Sequence, residues 1–191
     1  MDRRPLLEML DRYRSAFPGE SATIDRICRL VESHPNCFER TCRPGHITAA
    51  AWILSTDRRR SLLTHHRKLD RWLQLGGHAD GQWLVEEVAL REAREESGLA
   101  EFDIVPIDGA IMPFDIDVHE IPAHYDEEGT LIEDAHEHHD IRFLLIARSG
   151  DEPTISDESH DVAWFTPEEV LQHTGEESVL RMLRKALELL A

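Results

Sequence analysis

The residues best placed to do chemistry lie in one stretch, GGHADGQWLVEEVALREAREESGL, from Gly76 to Leu99. The spacing predicts a helix over Trp83–Ser97, stopped by Gly98 in the C-cap position. On a wheel of about 100° per residue, Leu84, Val85, Val88, Ala89 and Ala93 form an apolar face. Glu92 and Glu96 fall in the middle of that face and Glu95 on its flank, whereas Glu86, Glu87 and Arg94 lie on the opposite side. An ordinary amphipathic helix keeps all its glutamates on the side away from the core. Carboxylates at i,i+3 and i,i+4 repel by about 0.2–0.5 kcal/mol per pair even when exposed. Partial burial raises that cost unless a cation sits between them. Three convergent carboxylates are an oxygen-only donor set of the kind that Mg²⁺ requires. Arg91, next to them, can orient one by a charge-assisted hydrogen bond. A solvated acidic helix face is the competing reading, and the wheel position argues against it.

Histidine is the second chemical signal, with twelve in the chain. On an extended segment His136 and His138 point the same way, together with Asp140. Asp115, Asp117 and His119 alternate in the same manner further upstream. Pairing of the two segments would let His119, His136, His138 and an aspartate converge. That donor set suits Zn²⁺, Mn²⁺ or Fe²⁺ more than Mg²⁺ and marks a candidate second metal site. The competing reading has these histidines hydrogen-bonded in a polar pocket, or lining the substrate site, with His78 near the same mouth. Arg142 interrupts an otherwise apolar strand, and a buried arginine requires a carboxylate or phosphate partner. It is expected to brace one of the helix glutamates or to touch a substrate phosphate; a surface position at a strand end is the alternative. His34, Cys37, Cys42 and His46 have the spacing H-x2-C-x4-C-x3-H, which resembles a zinc set but is irregular. Free, partly buried cysteines are the better reading. The run His65-His66-Arg67-Lys68 reads as a loop tip between strands rather than a phosphate site.

Positioning these groups takes a mixed set of elements. Helical periodicity runs over residues 5–17, is broken by Pro18-Gly19, and resumes from about Ser21 to Ser33. These two helices form an N-terminal appendage over residues 1–44, and the main domain follows over 45–191. Strands are expected over His46–Ser55, Ser61–His65, Trp72–Leu75, Ile104–Ile111, Phe114–Ile121, Ile141–Arg148 and Val162–Phe165. Ile141–Arg148 is apolar on both faces, as a central strand should be. Pro122–Ala135 reads as a polar, acidic loop. Thr166 followed by Pro167 starts one helix, and a final helix covers about Glu177–Leu190. The class is therefore α/β or α+β with sandwich layering.

Composition bounds the function. Lys+Arg is 21 against Asp+Glu 38, a formal net charge of −17. That balance argues against nucleic-acid binding by bulk charge, although a small anionic substrate held through metal ions remains compatible with it. No run approaches the roughly 20 apolar residues of a membrane span. The first 17 residues lack a signal-peptide core, and three cysteines are too few for a disulfide scaffold, so a cytoplasmic location is expected. The N-terminal helices are a candidate homodimer contact.

The stretch from Gly77 to Leu99 resembles the Nudix box, G-x5-E-x7-R-E-U-x-E-E-x-G-U, where U is a bulky aliphatic residue. Gly77, Arg91, Glu92, Glu95, Glu96, Gly98 and Leu99 match, while Trp83 replaces the first glutamate and Ala93 the first aliphatic residue. The likeness extends over about Gly45–Val170 and includes the segment from Ala163 to Glu169. It implies a mixed β-sheet in an α/β/α sandwich. It also implies divalent-metal-dependent hydrolysis of a nucleoside diphosphate linked to another group X, a small nucleotide-type substrate. By this resemblance Glu92 and Glu96 are the main ligands of Mg²⁺ (or Mn²⁺). Glu95 is a further or water-mediated ligand, and the Gly76 carbonyl completes the sphere. Arg91 holds Glu92, Gly77 permits close backbone approach and Gly98 ends the helix. A base from outside the box is implied as well. Glu120, Glu127, Glu128, Glu133 and Asp134 are candidates, with Glu133 favoured. His78, His136, His138 and Arg142 are the candidate substrate contacts, and the Pro122–Ala135 loop would set specificity. A non-catalytic ligand sensor of the same fold is the alternative, favoured by Trp83 and opposed by the intact Arg91, Glu92, Glu95 and Glu96. An isoprenoid diphosphate isomerase shares the fold but needs an active-site cysteine in a motif that Cys37 and Cys42 do not fit.

Overall fold

A computed structural model describes residues 1–148, 152–155 and 159–190. Two helices, α1 (Arg4–Ala16) and α2 (Ser21–Ser33), come first, joined by a short 3₁₀ turn. The sheet strands follow: β1 (Gly45–Leu54), β2 (Ser61–His66), β3 (Arg71–Leu73) and β4 (Leu75–His78). Helix α3 (Val85–Ser97) leads to β5 (Phe102–Ile104) and β6 (Asp115–Ile121). A small hairpin, β7 (His124–Tyr125) and β8 (Leu131–Glu133), precedes β9 (His136–Ala147) and β10 (Ser159–Phe165). Helices α4 (Pro167–His173) and α5 (Glu177–Leu190) close the chain.

The eight-stranded sheet has the order β10-β2-β1-β9-β5, with β3 on β2, β4 on β1 and β6 on β9. Its axis is the parallel pair β1/β9, which runs in register from Gly45↔Glu137 to Leu54↔Ile146. All of β1 is buried. The small residues Ala49 and Gly77 are paired, and α3 packs over that side of β1 and β4. Helix α5 reaches the other face, where Asp115 and Asp117 project. Helices on both faces of a mixed sheet make the expected sandwich. The apolar sides of α1 and α2 (Leu6, Leu10, Tyr13, Ile24, Ile27 and Val31) are buried in the same core as the sheet.

Several expectations change, and the strand expected over Trp72–Leu75 divides into β3 and β4, which pair with β2 and β1. The strand expected over Ile104–Ile111 ends at Ile104. Pro106 supplies no backbone donor, and Asp108 and Gly109 both adopt positive φ, so Ile107 and Ala110 close a tight turn with paired hydrogen bonds of 2.9 and 3.0 Å. The strand expected from Ile141 begins at His136, because β1 on one side and β6 on the other pair its polar half. The Pro122–Ala135 loop contains the β7/β8 hairpin. At the other extreme, α4 starts as its sequence dictates. Thr166 Oγ1 accepts from the Glu169 N–H, and the Glu169 carboxylate accepts in return from the Thr166 N–H.

Candidate active site and histidine cluster

Helix α3 begins at Val85, two residues later than expected, with Leu84 offering no capping side chain. It ends at Gly98, whose φ of 70° suits the left-handed cap and whose N–H bonds the Arg94 carbonyl at 2.9 Å. Val85, Val88, Ala89, Leu90, Ala93 and Ser97 are buried, which fixes the rotation of the helix. Glu92 is thereby drawn inward, its side chain 14% exposed, while Glu95 is 64% exposed. Glu96 is half-buried, and its Oε1 accepts from the Gly76 N–H at 3.1 Å. The Arg91 guanidinium donates to Glu92 Oε1 at 2.5 Å and to the His78 carbonyl at 2.8 Å. Arg91 Nε lies 3.9 Å from Glu95. A Cβ on residue 77 would stand 2.6 Å from the Glu92 carboxyl carbon, so only glycine leaves room for that carboxylate. A Cβ on residue 76 would stand 2.6 Å from that of Ala50. The structure thus brings together Gly76, Gly77, Arg91, Glu92 and Glu96, with Glu95 at the solvent edge. Two half-buried carboxylates one helical turn apart, each steadied from one side, form an oxygen donor set that fits a hard divalent cation. Trp83 lies outside this group, 39% exposed ahead of the helix.

The histidines form a separate group. Register places His46 beside His138, His138 beside His119, and Thr48 beside both His78 and Asp140. Strand alternation then puts His46, His78, His119, His136 and His138 on one face of the sheet, opposite to the side on which Gly77 meets Glu92. Ring centroids of His46 lie 4.9 Å from His136, 4.8 Å from His138 and 5.1 Å from His78. The convergent trio is therefore His46, His136 and His138 rather than the expected His119, His136 and His138. His119 touches only the edge of the group, with centroids 5.5 Å from His138, and its Nδ1 is bonded to Asp117 at 3.0 Å. Burial lowers the pKa of His46 to about 3 and that of His138 to about 2, helped by the neighbouring imidazoles. Burial also lowers that of His78. Glu133 belongs here too, 3.8 Å from His136 Nε2.

The same face continues into a charged network. Arg142 is 1% exposed and donates to Asp140 at 2.7 Å and to Asp115 at 2.9 Å, with Asp117 at 3.3 Å. Its partners are these three aspartates, so it neither braces a helix glutamate nor faces a substrate. Arg181 binds Asp115 and Asp117, and Lys185 bridges Asp115 to Glu20 and Tyr13. Burial acts to raise Asp115, but Arg181, Arg142 and Lys185 outweigh it and hold the carboxyl below its ordinary range. The sequence reading missed Arg181, Lys185 and the membership of His46, since each depends on pairing across distant segments. The cysteines are free, and burial pushes the Cys37 thiol up to about 11, which opposes thiolate coordination at the H-x2-C-x4-C-x3-H set. Among the described residues, no helix is long and apolar enough to cross a membrane.

Comparison with known proteins agrees with the α3 geometry. The NUDIX domain family matches residues 44–186. No curated protein matches the sequence significantly. A NUDIX-family hydrolase from Clostridium perfringens is 26% identical, covering 76% of this chain and 98% of its own, with a TM-score of 0.58. A C. elegans Ap4A hydrolase, 17% identical, covers 75% and 96% with a TM-score of 0.56. The E. coli dihydroneopterin triphosphate pyrophosphohydrolase, 15% identical, covers 75% and 94% with a TM-score of 0.54. The family match over most of the chain, and a glycine-cradled carboxylate pair where the box requires one, show that this chain belongs to the Nudix family.

Proposed function

We propose that the chain is a divalent-metal-dependent pyrophosphohydrolase, cleaving a nucleoside diphosphate linked to a further group. The observation that carries this reading is the arrangement of Glu92 and Glu96 on the buried side of α3, one held by Arg91 and the other by the Gly76 N–H. Support comes from the similar structures, which include an Ap4A hydrolase and a dihydroneopterin triphosphate pyrophosphohydrolase. Arg91, Glu92, Glu95 and Glu96 form the catalytic set, and Glu92 and Glu96 with the Gly76 backbone are the expected ligands of Mg²⁺ or Mn²⁺. When bound, the cation neutralises phosphate oxygens and makes water a better nucleophile near neutral pH.

The chain's own residues do the positioning. Arg91 fixes Glu92 through one guanidinium nitrogen that also reaches the His78 carbonyl, so helix and strand hold a common geometry. The Gly76 N–H orients Glu96. Glu95, at the solvent edge, is placed to accept a proton from a water molecule entering the site. We do not assign this role to Glu133, because its carboxylate sits beside His136. His136, His138 and the ring of His78 face away from the glutamates and are likewise outside the proposed substrate contacts. A second reading, a ligand-sensing module of the same fold, is favoured by Trp83 at the position of the first box glutamate.

The test is a phosphate-release assay on nucleoside triphosphates, nucleotide sugars, dinucleoside polyphosphates, ADP-ribose and CDP-alcohols, with Mg²⁺, Mn²⁺ or chelator. Metal-dependent turnover of one class supports the hydrolase. Binding of one class without any turnover would replace it with the sensor.

A further inference from the structure

His46 presents a problem that the box does not solve. It is 1% exposed, and neither ring nitrogen has a hydrogen-bond partner, although both are buried. Buried polar atoms are nearly always satisfied, so an orphaned imidazole calls for an explanation. Its ring stacks on that of His136 and lies against that of His138. One nitrogen from each of the three residues lies within 4.8 Å of the others.

The neighbours are arranged as ligand support. His136 Nδ1 stands 2.8 Å from the Asp134 carbonyl. A carbonyl can only accept, so that nitrogen is a donor, and in the neutral ring this leaves the Nε2 lone pair directed at His138 Nε2 3.3 Å away. A metal-bound histidine is commonly held in its tautomer by such a backbone acceptor. Beyond the trio, His78 lies 5.0 Å from His138 between ring centroids, and the Glu133 carboxylate lies 3.8 Å from His136 Nε2. Either can supply a fourth ligand.

We propose that His46, His136 and His138 bind a single first-row transition-metal ion of the Zn²⁺ class, at a site separate from the carboxylates of α3. Three nitrogen donors select such an ion over Mg²⁺, which requires oxygen. The site ties the start of β1 to the start of β9 and, through Glu133, to the β7/β8 hairpin. Its existence does not depend on the hydrolase reading, because it rests on different residues on the other side of β4.

Co²⁺ is the probe, since its visible absorption reports nitrogen coordination directly. The full chain, stripped with chelator and dialysed, is titrated with Co²⁺ and then with competing Zn²⁺. The expected result is one tightly bound Co²⁺ per chain that gives intense visible ligand-field bands, apart from any weaker Co²⁺ on the α3 carboxylates, with displacement by Zn²⁺ and a rise in Tm on Zn²⁺ addition. In His46→Gln and His138→Ala the Co²⁺ affinity should fall by about 100-fold or more, whereas in Glu96→Gln it should stay within about twofold. His138 is only half-buried, so His138→Ala carries the test if His46→Gln fails to fold. No visible band in the unaltered chain would overturn the proposal. So would a band that survives His138→Ala at full affinity, or one abolished by Glu96→Gln alone.

Discussion

Glu92 and Glu96 face the core side of a helix whose other carboxylates face water, and two local contacts hold them there. Arg91 and the Gly76 N–H each satisfy one carboxylate oxygen, and Gly77 removes the Cβ that would collide with Glu92. Gly77→Ala should therefore displace the Glu92 carboxylate while leaving the helix in place. Metal-dependent turnover is expected to fall by about 10–100-fold, comparable to loss of a residue that orients a metal ligand. Steady-state assays alongside circular dichroism check this, and an unchanged rate would show that the close approach of Gly77 to Glu92 has no role. Trp83, exposed and ahead of α3, touches neither contact, so Trp83→Glu should retain turnover to within about threefold, about 0.7 kcal/mol in barrier. Abolished activity in that variant would place Trp83 in the site.

At the scale of elements, helices were legible and some strands were not. The periodicity of α1, α2 and α5 and the capping residues of α4 carry their own instructions, so expected and observed bounds nearly coincide. The carboxylate site was legible for the same reason, being local to one loop and one helix. The polar half of β9 was not bounded as part of that strand, because His136–Asp140 carries no apolar residue to mark a buried face and joins the sheet by pairing with β1 and β6. The histidine trio was half legible. His136 and His138 are two residues apart in sequence, but His46 joins them through a parallel pairing across more than ninety residues. A local prediction follows for the end of α3. Gly98 adopts φ 70°, and a Cβ there would lie 2.8 Å from Thr154 Cβ, so Gly98→Ala is both strained and crowded. It should lower unfolding free energy by about 1 kcal/mol or more, measured by urea denaturation. An unchanged midpoint would remove the left-handed cap from the account.

At the scale of the whole molecule, the buried charges are paired with one another across distant elements. Asp115, Asp117 and Asp140 surround Arg142, and Arg181 and Lys185 bring α5, α1 and the turn after α1 to the same aspartates. Breaking such a buried set by removing one partner costs about 3–5 kcal/mol, so Arg142→Met should lower Tm strongly; a change of under a few degrees would contradict a structural role. The network also sets acid stability. Asp115 has its carboxyl held below the ordinary 3.8, so the unfolded chain takes up this proton first as pH falls. The stabilisation is present above about pH 3.8 and is lost as pH falls through the lower folded value. Arg181→Met should lower stability near neutral pH and flatten its decline below pH 4, as read from urea midpoints. An unaltered acid slope would show that Arg181 does not hold Asp115. For a chain of net charge −17 to act on phosphates, cations would be needed at the point of contact, and on the proposed reading the α3 carboxylates would hold them. The most direct measurement compares Mg²⁺-dependent turnover of the unaltered chain and Glu96→Gln on the best substrate of the panel, with Tm measured on both. Turnover is expected to fall by about 100-fold or more, some 2.7 kcal/mol of barrier, with Tm nearly unchanged. Full Mg²⁺-dependent activity in Glu96→Gln would contradict it.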